Sequence, residues 1–333
     1  ALSSAASDVY KRQKYGFEDV IGESDAIQKA KEVLRRMAVS ESPILLIGET
    51  GTGKELFAHA VHRASRRRNG PFVAINVAAF PENLLESELF GYEEGAFTGA
   101  KKGGRLGLLE ISHQGTLFLD EVEGMSPALQ VKLLRVLQER EIMRVGGTSI
   151  IPIDVRIVAA TNESLERKVA EGTFRRDLYY RLSTLPIVIP PLSERGDDLF
   201  LILEQFQKEL GGSFRLTPQV RGFLKSYSWP GNIRELDNVI KGAYATCDGF
   251  SIDMIDLPAR LANLQKGAGP GAEGSKKLAE LMDNYEREII KSTLRATGGN
   301  CQQAAEELGI HRSALYKKMA RLNIHRRKEN VYE

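Results

Sequence analysis

Residues 48–54 read GETGTGK, which fits the phosphate-loop pattern G-x-x-x-x-G-K. The glycines let backbone N–H groups close around phosphate oxygens, and the lysine can reach the terminal phosphates of a nucleotide. Glutamate stands after the lysine, where a Ser or Thr hydroxyl usually meets Mg²⁺. The candidate ATP-binding residues here are Gly48, Glu49, Thr50, Gly51, Thr52, Gly53, Lys54 and Glu55.

Two adjacent carboxylates, Asp120 and Glu121, follow the apolar residues 116–119. Asp120 is placed to bind Mg²⁺, and Glu121 to polarise an attacking water. Two acids after a strand can also simply cap the next helix, but their combination with Lys54 favours ATP hydrolysis to ADP and phosphate. Asn162 could orient the same water, although Asn is also common in ordinary turns.

Residues 174–182, FRRDLYYRL, contain the arginines Arg175, Arg176 and Arg181. Arginines can stabilise transition-state charge, commonly from a neighbouring subunit. A helix face paired with Asp177 is the alternative, and the residues alone favour it.

The elements around these residues alternate between strand and helix patterns. Apolar residues 44–47 precede the glycine loop, and an amphipathic segment, 55–64, follows it. Further apolar runs lie at 72–77, 116–119 and 155–160, separated by helical patterns such as 127–138. This alternation predicts an α/β fold with a parallel sheet covered by helices on both faces.

Beyond the prolines at 186, 190 and 191, residues 198–264 have a mostly helical pattern. Residues 266–275, KGAGPGAEGS, have the composition of a flexible linker. Helical patterns follow at 278–297, 302–308 and 313–322, with a turn expected at Gly309. Residues 8–13, DVYKRQ, look like the translation of a transposon end. We therefore expect residues 1–13 to be non-native and the natural gene to continue upstream.

Composition excludes several classes of protein. The two cysteines, Cys247 and Cys301, lack metal-ligand spacing, which argues against a disulfide scaffold and fits a reducing cytoplasm. No apolar run approaches the roughly 18 residues of a membrane helix, so no membrane partner is expected. The net charge is only +2, but residues 308–328 contain seven Lys or Arg and no Asp or Glu. Such a basic end suggests contact with nucleic acid, although a solvated helix is the alternative.

Residues 95–100 read GAFTGA, a segment that resembles a hallmark of bacterial enhancer-binding activators of sigma-54 RNA polymerase, which are NtrC-like AAA+ ATPases. The resemblance extends over residues 16–326. It includes GETGTGKE at 48–55, ESELFGYEEGAFTGA at 86–100, LFLDE at 117–121, FRRDLYYRL at 174–182 and WPGNIREL at 229–236. This family normally has Glu after the loop lysine, so Glu55 matches it.

The resemblance implies an AAA+ α/β ATPase core over 15–190 and an α-helical lid subdomain over 191–264. A flexible linker over 265–276 and an all-α, Fis-type helix-turn-helix domain over 277–328 would follow, with 1–14 as a non-native or linker segment. By the same resemblance, Asn76 holds Glu121 until the nucleotide state changes, Arg175 and Arg181 act in trans, and Arg234 is the lid's sensor arginine.

The glycines that flank Phe97 describe a mobile loop exposing an apolar side chain, although a buried loop anchor is the alternative. The resemblance makes this loop the sigma-54 contact, formed by Gly95, Ala96, Phe97, Thr98, Gly99 and Ala100. In the helix-turn-helix, Ala304, Ala305 and Leu308 would pack the first helix. The candidate DNA-binding residues are Arg312, Ser313, Tyr316, Lys317, Lys318 and Arg321. A small helical bundle that binds protein is the alternative.

The expected function is ATP-driven activation of transcription with ATP and Mg²⁺ as cofactors. The C-terminal domain would bind enhancer DNA as dimers, and a homo-oligomeric ring, expected to be a hexamer, would remodel the sigma-54 RNA polymerase closed complex. Two alternatives are a DNA-binding repressor without ATPase activity and an AAA+ remodeller of another target; a P-loop kinase is more remote. The GAFTGA segment, together with Lys54, Asp120 and Glu121, favours the activator. Family members usually carry an N-terminal sensory domain, whose signal this sequence does not reveal.

Overall fold

The computed structural model describes residues 15–211, 214–247, 251–258, 261, 286–287, 289–294, 297, 300–310, 312–322 and 324. The chain divides into two compact units, Ala1–Gly267 and Ala268–Glu333. The predicted linker, and most of the helix expected over 278–297, fall outside the described residues. None of the helices in the described ranges is long and apolar enough to cross a membrane.

The first unit contains eleven strands among its described residues. They are β1 (Ile44–Ile47), β2 (Phe72–Asn76), β3 (Gly91–Tyr92), β4 (Arg105–Leu106), β5 (Thr116–Asp120), β6 (Glu141–Ile142), β7 (Ile151–Pro152), β8 (Arg156–Thr161), β9 (Leu185–Val188), β10 (Arg215–Leu216) and β11 (Ser251–Ile252). Its helices are α1 (Asp25–Ala38), α2 (Lys54–Arg63), α3 (Glu82–Phe90), α4 (Leu108–Ile111), α5 (Pro127–Glu139), α6 (Leu165–Ala170), α7 (Arg176–Leu182), α8 (Asp198–Glu209), α9 (Pro218–Ser226) and α10 (Asn232–Thr246). Short 3₁₀ turns occur at Val77–Ala79, Val122–Gly124, Leu192–Glu194 and Met254–Asp256.

Five of these strands form one sheet in the order β2-β5-β8-β1-β9, and every pairing in it is parallel. β1 and the interior of β8, residues 157–160, are apolar because both faces of the sheet are covered. Leu45 and Leu117 belong to the core on one face, whereas Leu46 and Phe118 belong to the core on the other. The predicted α/β fold is therefore confirmed.

The carboxyl ends of the strands bring the candidate site residues to one edge of this sheet. Asn76 pairs with Asp120 in the register of β2 and β5, and Ile47 pairs with Thr161 in that of β1 and β8. The glycine loop after β1, the carboxylates after β5 and Asn162 after β8 consequently lie side by side. Open α/β sheets generally bind ligands at this edge.

Residues after β9 form a helical subdomain with its own core. Trp229, Leu236 and Val239 are buried there among side chains of α8 and α9. Residues 198–264 were predicted to be mostly helical, and that prediction missed one feature. This feature is the parallel pair of strands β10 and β11. Each strand is only two residues long, which is too short to show a periodic pattern.

The second unit has helical residues at 286–287 and 289–294, followed by α11 (Cys301–Glu307) and α12 (Arg312–Arg321). Asn300 caps α11, because its side-chain oxygen accepts hydrogen bonds from the N–H groups of Gln302 and Gln303. Gly309, between the helices, has φ +64°, a left-handed conformation that glycine adopts readily. The predicted turn is confirmed.

Candidate nucleotide-binding site

A cavity of about 560 Å³ lies at the carboxyl edge of the sheet, under the helical subdomain. The candidate site residues that line it are Thr50, Gly51, Gly53, Lys54, Glu55, Asp120, Glu121 and Arg234. The structure therefore brings together the glycine loop, the two carboxylates and the arginine of α10. The same cavity is also lined by Tyr15, Leu56, His59 and Phe206.

The glycine loop has a conformation that requires glycine at two positions. Gly51 has φ +81° and Gly53 has φ +91°. A Cβ atom on Gly51 would lie 2.2 Å from the carbonyl oxygen of Gly231, so the subdomain touches the loop backbone. Gly53 immediately precedes α2, whose N-terminus favours negative charge in this position.

Lys54 is buried beneath the loop. Its Nζ donates hydrogen bonds to the carbonyl oxygens of Gly48, at 2.8 Å, and Glu49, at 3.1 Å. Burial lowers the pKa of Lys54, whereas the negative charges of Asp120, Glu123 and Glu121 raise it. The ammonium group is thus surrounded by carboxylates and lies within the loop expected to hold phosphates. Gly48 and Glu49 contribute these carbonyl oxygens but do not line this cavity.

Burial raises the pKa of the Asp120 carboxyl; Lys54 opposes this shift, and the neighbouring Glu121 adds to it. Glu121 has φ +56°, which is uncommon for a residue other than glycine. Its N–H donates to Oδ1 of Asp120 at 3.1 Å. Such backbone conformations concentrate at functional sites, where the surrounding structure maintains them.

The carboxylates are suited to Mg²⁺ bound together with a nucleotide. No group of three or more His, Cys, Asp or Glu in the described ranges could hold a metal by itself. Mg²⁺ usually binds through one or two carboxylates together with phosphate oxygens and water. Asp120, beside Glu121 and the phosphate loop, fits that mode.

Asn76 and Asn162 lie next to the carboxylates. The side-chain oxygen of Asn76 accepts a hydrogen bond from Ala79 N at 3.1 Å. Among the described residues, Asn76 makes no hydrogen bond to Glu121, so its inferred hold on that residue stays a prediction. Asn162 Nδ2 donates to Thr50 Oγ1 at 3.2 Å, and its N–H donates to Glu123 Oε1 at 3.3 Å. It therefore joins the phosphate loop to the segment after β5.

Two residues that support the loop were not singled out from the sequence. Asn232 is completely buried and hydrogen-bonds to Glu49 and Thr50. It lies in the WPGNIREL motif, which could have pointed to it. Arg195 donates to the carbonyl oxygens of Thr52 and Pro190, at 3.1 and 3.0 Å. Burial lowers the pKa of Arg195 to about 10. No local sequence pattern predicts these long-range contacts.

The two candidate finger arginines lie away from this cavity. Arg175 pairs with Asp177 through Nη2–Oδ2 and Nε–Oδ1 contacts of 2.6 and 3.0 Å, as the helix-face alternative expected. Arg181 is exposed on α7, which begins one residue after Arg175. Neither belongs to the described residues that line the cavity of their own chain.

The GAFTGA loop projects from the β3–β4 hairpin. Gly95 has φ +79° and Gly99 has φ +100°, and a Cβ on either residue would meet no atom within 4 Å. Phe97 is 44% exposed, and its ring centroid lies 5.0 Å from that of Tyr92. Thr98 is also exposed. The loop therefore presents Phe97 to solvent, which disfavours a buried anchor.

On α12 of the second unit, Arg312 and Tyr316 are exposed, with the guanidinium carbon 5.7 Å from the ring centroid. Lys318 is paired with Glu286. The side chains of Ser313, Lys317 and Arg321 lie outside the described structure. Two of the six predicted DNA-binding residues are thus placed on one exposed surface.

Sequence profiles of three families match this chain. The Sigma-54 interaction domain matches residues 20–188, the AAA+ ATPase lid domain residues 193–273, and the Fis family of bacterial regulatory proteins residues 282–322.

Individual relatives agree with these matches. The transcriptional activator RocR of Bacillus subtilis is 42% identical, with 93% of this chain and 69% of RocR covered. The regulatory protein AtoC of Escherichia coli is 43% identical, with 92% and 68% covered. A signal-transduction and transcriptional-control protein of Clostridium beijerinckii is 43% identical, but this chain spans only 50% of its length. The crystal structure of NtrX from Brucella abortus in complex with ATP has a TM-score of 0.69 and 34% identity, with 92% of this chain and 70% of NtrX covered.

Proposed function

Because this chain belongs to the family of sigma-54-dependent transcriptional activators, we propose that it hydrolyses ATP to open promoters held closed by sigma-54 RNA polymerase. The observation that carries this proposal is the cavity where Lys54, Asp120, Glu121 and Arg234 meet. A nucleotide-binding relative with the same fold supports it, since NtrX was crystallised in complex with ATP.

The residues of the cavity divide the chemistry between them. The loop N–H groups and Lys54 bind the phosphates, and Arg234 reaches them from the lid. Asp120 would hold Mg²⁺, which would neutralise charge that develops on the phosphates. Glu121 polarises the attacking water, and Asn162 orients it. Asn76 lies beside these carboxylates in the sheet register and restrains Glu121 until the nucleotide state changes.

Each site is completed by a neighbouring subunit in a ring, for which a hexamer is the expected size. Arg175, which pairs with Asp177, and the exposed Arg181 both lie outside the cavity of their own chain, which supports a role at a neighbour's nucleotide. Phe97 and Thr98 are exposed, which supports a role for the GAFTGA loop as the contact to sigma-54. Hydrolysis moves this loop and remodels the closed complex.

The C-terminal helix-turn-helix, with Arg312 and Tyr316 exposed on α12, tethers the activator to enhancer DNA as dimers. The proposed functions are assigned to consecutive segments of the chain. Residues 15–190 form the ATPase core, 191–264 the lid and 277–328 the DNA-binding domain, and the linker predicted over 265–276 lies outside the described residues.

Steady-state ATP hydrolysis by the full chain tests the assigned site. Lys54→Ala should abolish hydrolysis because it removes the buried cation under the phosphate loop. Lys29→Ala is the matched control, since Lys29 is exposed on α1 and lies outside this cavity. Full activity of Lys54→Ala would refute the assignment.

A further inference from the structure

Three consecutive carbonyl oxygens of the phosphate loop accept hydrogen bonds from residues of the lid. Asn232 Nδ2 donates to the oxygen of Thr50 at 3.1 Å, and Ile233 N donates to that of Gly51 at 3.0 Å. Arg195 Nη2 donates to the oxygen of Thr52 at 3.1 Å. In a planar trans peptide the C=O and the next N–H point in opposite directions. These contacts therefore fix how the peptide groups of the loop are oriented, and phosphate binding depends on that orientation.

Asn232 uses its whole side-chain amide in this arrangement. Nδ2 donates both to Thr50 O and to Glu49 Oε2, the latter at 2.9 Å, and Oδ1 accepts from Leu192 N at 2.7 Å. The residue is completely buried and has φ +50°, a conformation in which Asn is enriched. One amide thus joins the phosphate loop, the entrance to the lid and the first turn of α10.

The same helix carries Arg234, two residues further along. Since Asn232 is fixed to the loop and Arg234 lines the cavity, a movement of α10 displaces both the arginine and the donors that hold the loop. Lid position and phosphate-loop geometry are therefore mechanically linked through these hydrogen bonds, two of which Asn232 donates.

We propose that Asn232 is a positioning residue that holds the loop in its phosphate-binding conformation, so that the lid controls phosphate affinity independently of Arg234. The inference rests on the proposed function, because it assumes that nucleotide phosphates occupy this loop. The competing explanation is that Asn232 merely stabilises the packing of the lid. Only the positioning role acts selectively on phosphate.

Two substitutions remove the donors without straining the backbone. Asn232→Asp keeps the size and the acceptor for Leu192, but it loses both donations and places a carboxylate beside Glu49. Asn232→Gly removes the side chain at a position where glycine tolerates positive φ. Asn238→Asp is the matched control, since it makes the same chemical exchange on an exposed part of the same helix.

The measurement compares the Kd of the full chain for ADP with its Kd for adenosine, which has the base and ribose but no phosphate. Both Asn232 variants should raise the Kd for ADP by about tenfold and leave that for adenosine unchanged, because the hydrogen bonds lost are those that organise the phosphate loop. Asn238→Asp should bind both ligands as the unsubstituted chain does. Far-UV circular dichroism of the ligand-free proteins establishes that each variant is folded.

Three results would overturn the inference. They are an unchanged Kd for ADP in folded Asn232 variants, an equal weakening of ADP and adenosine, and unfolding of both variants. The last two would make Asn232 a structural residue. If the unsubstituted chain itself fails to bind ADP, the proposed function is wrong. This failure is distinguishable from failure of the inference about Asn232, because it is seen without any variant.

Discussion

The free energy of unfolding should depend on pH through His62, a histidine of α2 that is completely buried. Its Nδ1 lies 2.8 Å from Thr116 Oγ1. Burial, together with the nearby charges of His59 and Arg156, lowers the pKa of His62 from 6.5 to about 4. His62 therefore binds a proton more readily in the unfolded chain than in the folded one. The stability that the neutral imidazole contributes is fully present above about pH 6.5. It is lost progressively as the pH falls towards 4.

The size of this effect follows from the shift. A pKa lowered from 6.5 to about 4 corresponds to about 3 kcal/mol once both states are protonated, and to about 2 kcal/mol at about pH 5. Chemical denaturation, followed by far-UV circular dichroism near neutral pH and at about pH 5, measures it.

His62→Gln retains a hydrogen-bonding group for Thr116 but cannot gain a proton. On acidification to about pH 5, the free energy of unfolding of the original chain should therefore fall by about 2 kcal/mol more than that of this variant. His113→Gln is the matched control, since His113 is exposed and this variant should keep the original pH dependence. An identical loss in His62→Gln and the original chain would refute the reasoning.

Two further predictions concern assembly and DNA. Lys54→Ala and Arg181→Ala should each lack ATPase activity alone, yet a mixture of the two variants should regain it. The reason is that a Lys54→Ala subunit still offers Arg181 to the intact site of its neighbour. A mixture as inactive as its components would show that Arg181 does not act in trans. Deleting residues 276–333 should weaken enhancer binding in a gel-shift titration while hydrolysis continues, since the described residues that line the cavity belong to the first unit. Unchanged DNA affinity would rule out the helix-turn-helix assignment.

Much of the nucleotide site could be predicted from sequence because its parts are local. The glycine loop and the two carboxylates each follow a short apolar strand, and parallel strands bring their carboxyl ends to one edge. The turn at Gly309 could equally be predicted from the sequence, since a glycine between two short helical patterns is a common signal for a chain reversal.

The contacts between the lid and the loop could not be predicted in this way. Asn232 and Glu49 are 183 positions apart, and their hydrogen bond exists only once the lid packs over the sheet. Arg195 similarly reaches Thr52 across 143 positions. The pairing of Arg175 with Asp177 is local and was foreseen, but whether Arg175 also serves another subunit depends on an assembly beyond one chain.

Open-complex formation at a sigma-54 promoter, measured alongside ATP hydrolysis for Thr98→Ala, tests the central claim most directly. Thr98 is exposed on the GAFTGA loop and lies outside the nucleotide cavity. The account predicts that this variant hydrolyses ATP like the original chain and yet fails to open the promoter. Promoter opening at the original rate would contradict the claim that this loop transmits hydrolysis to sigma-54.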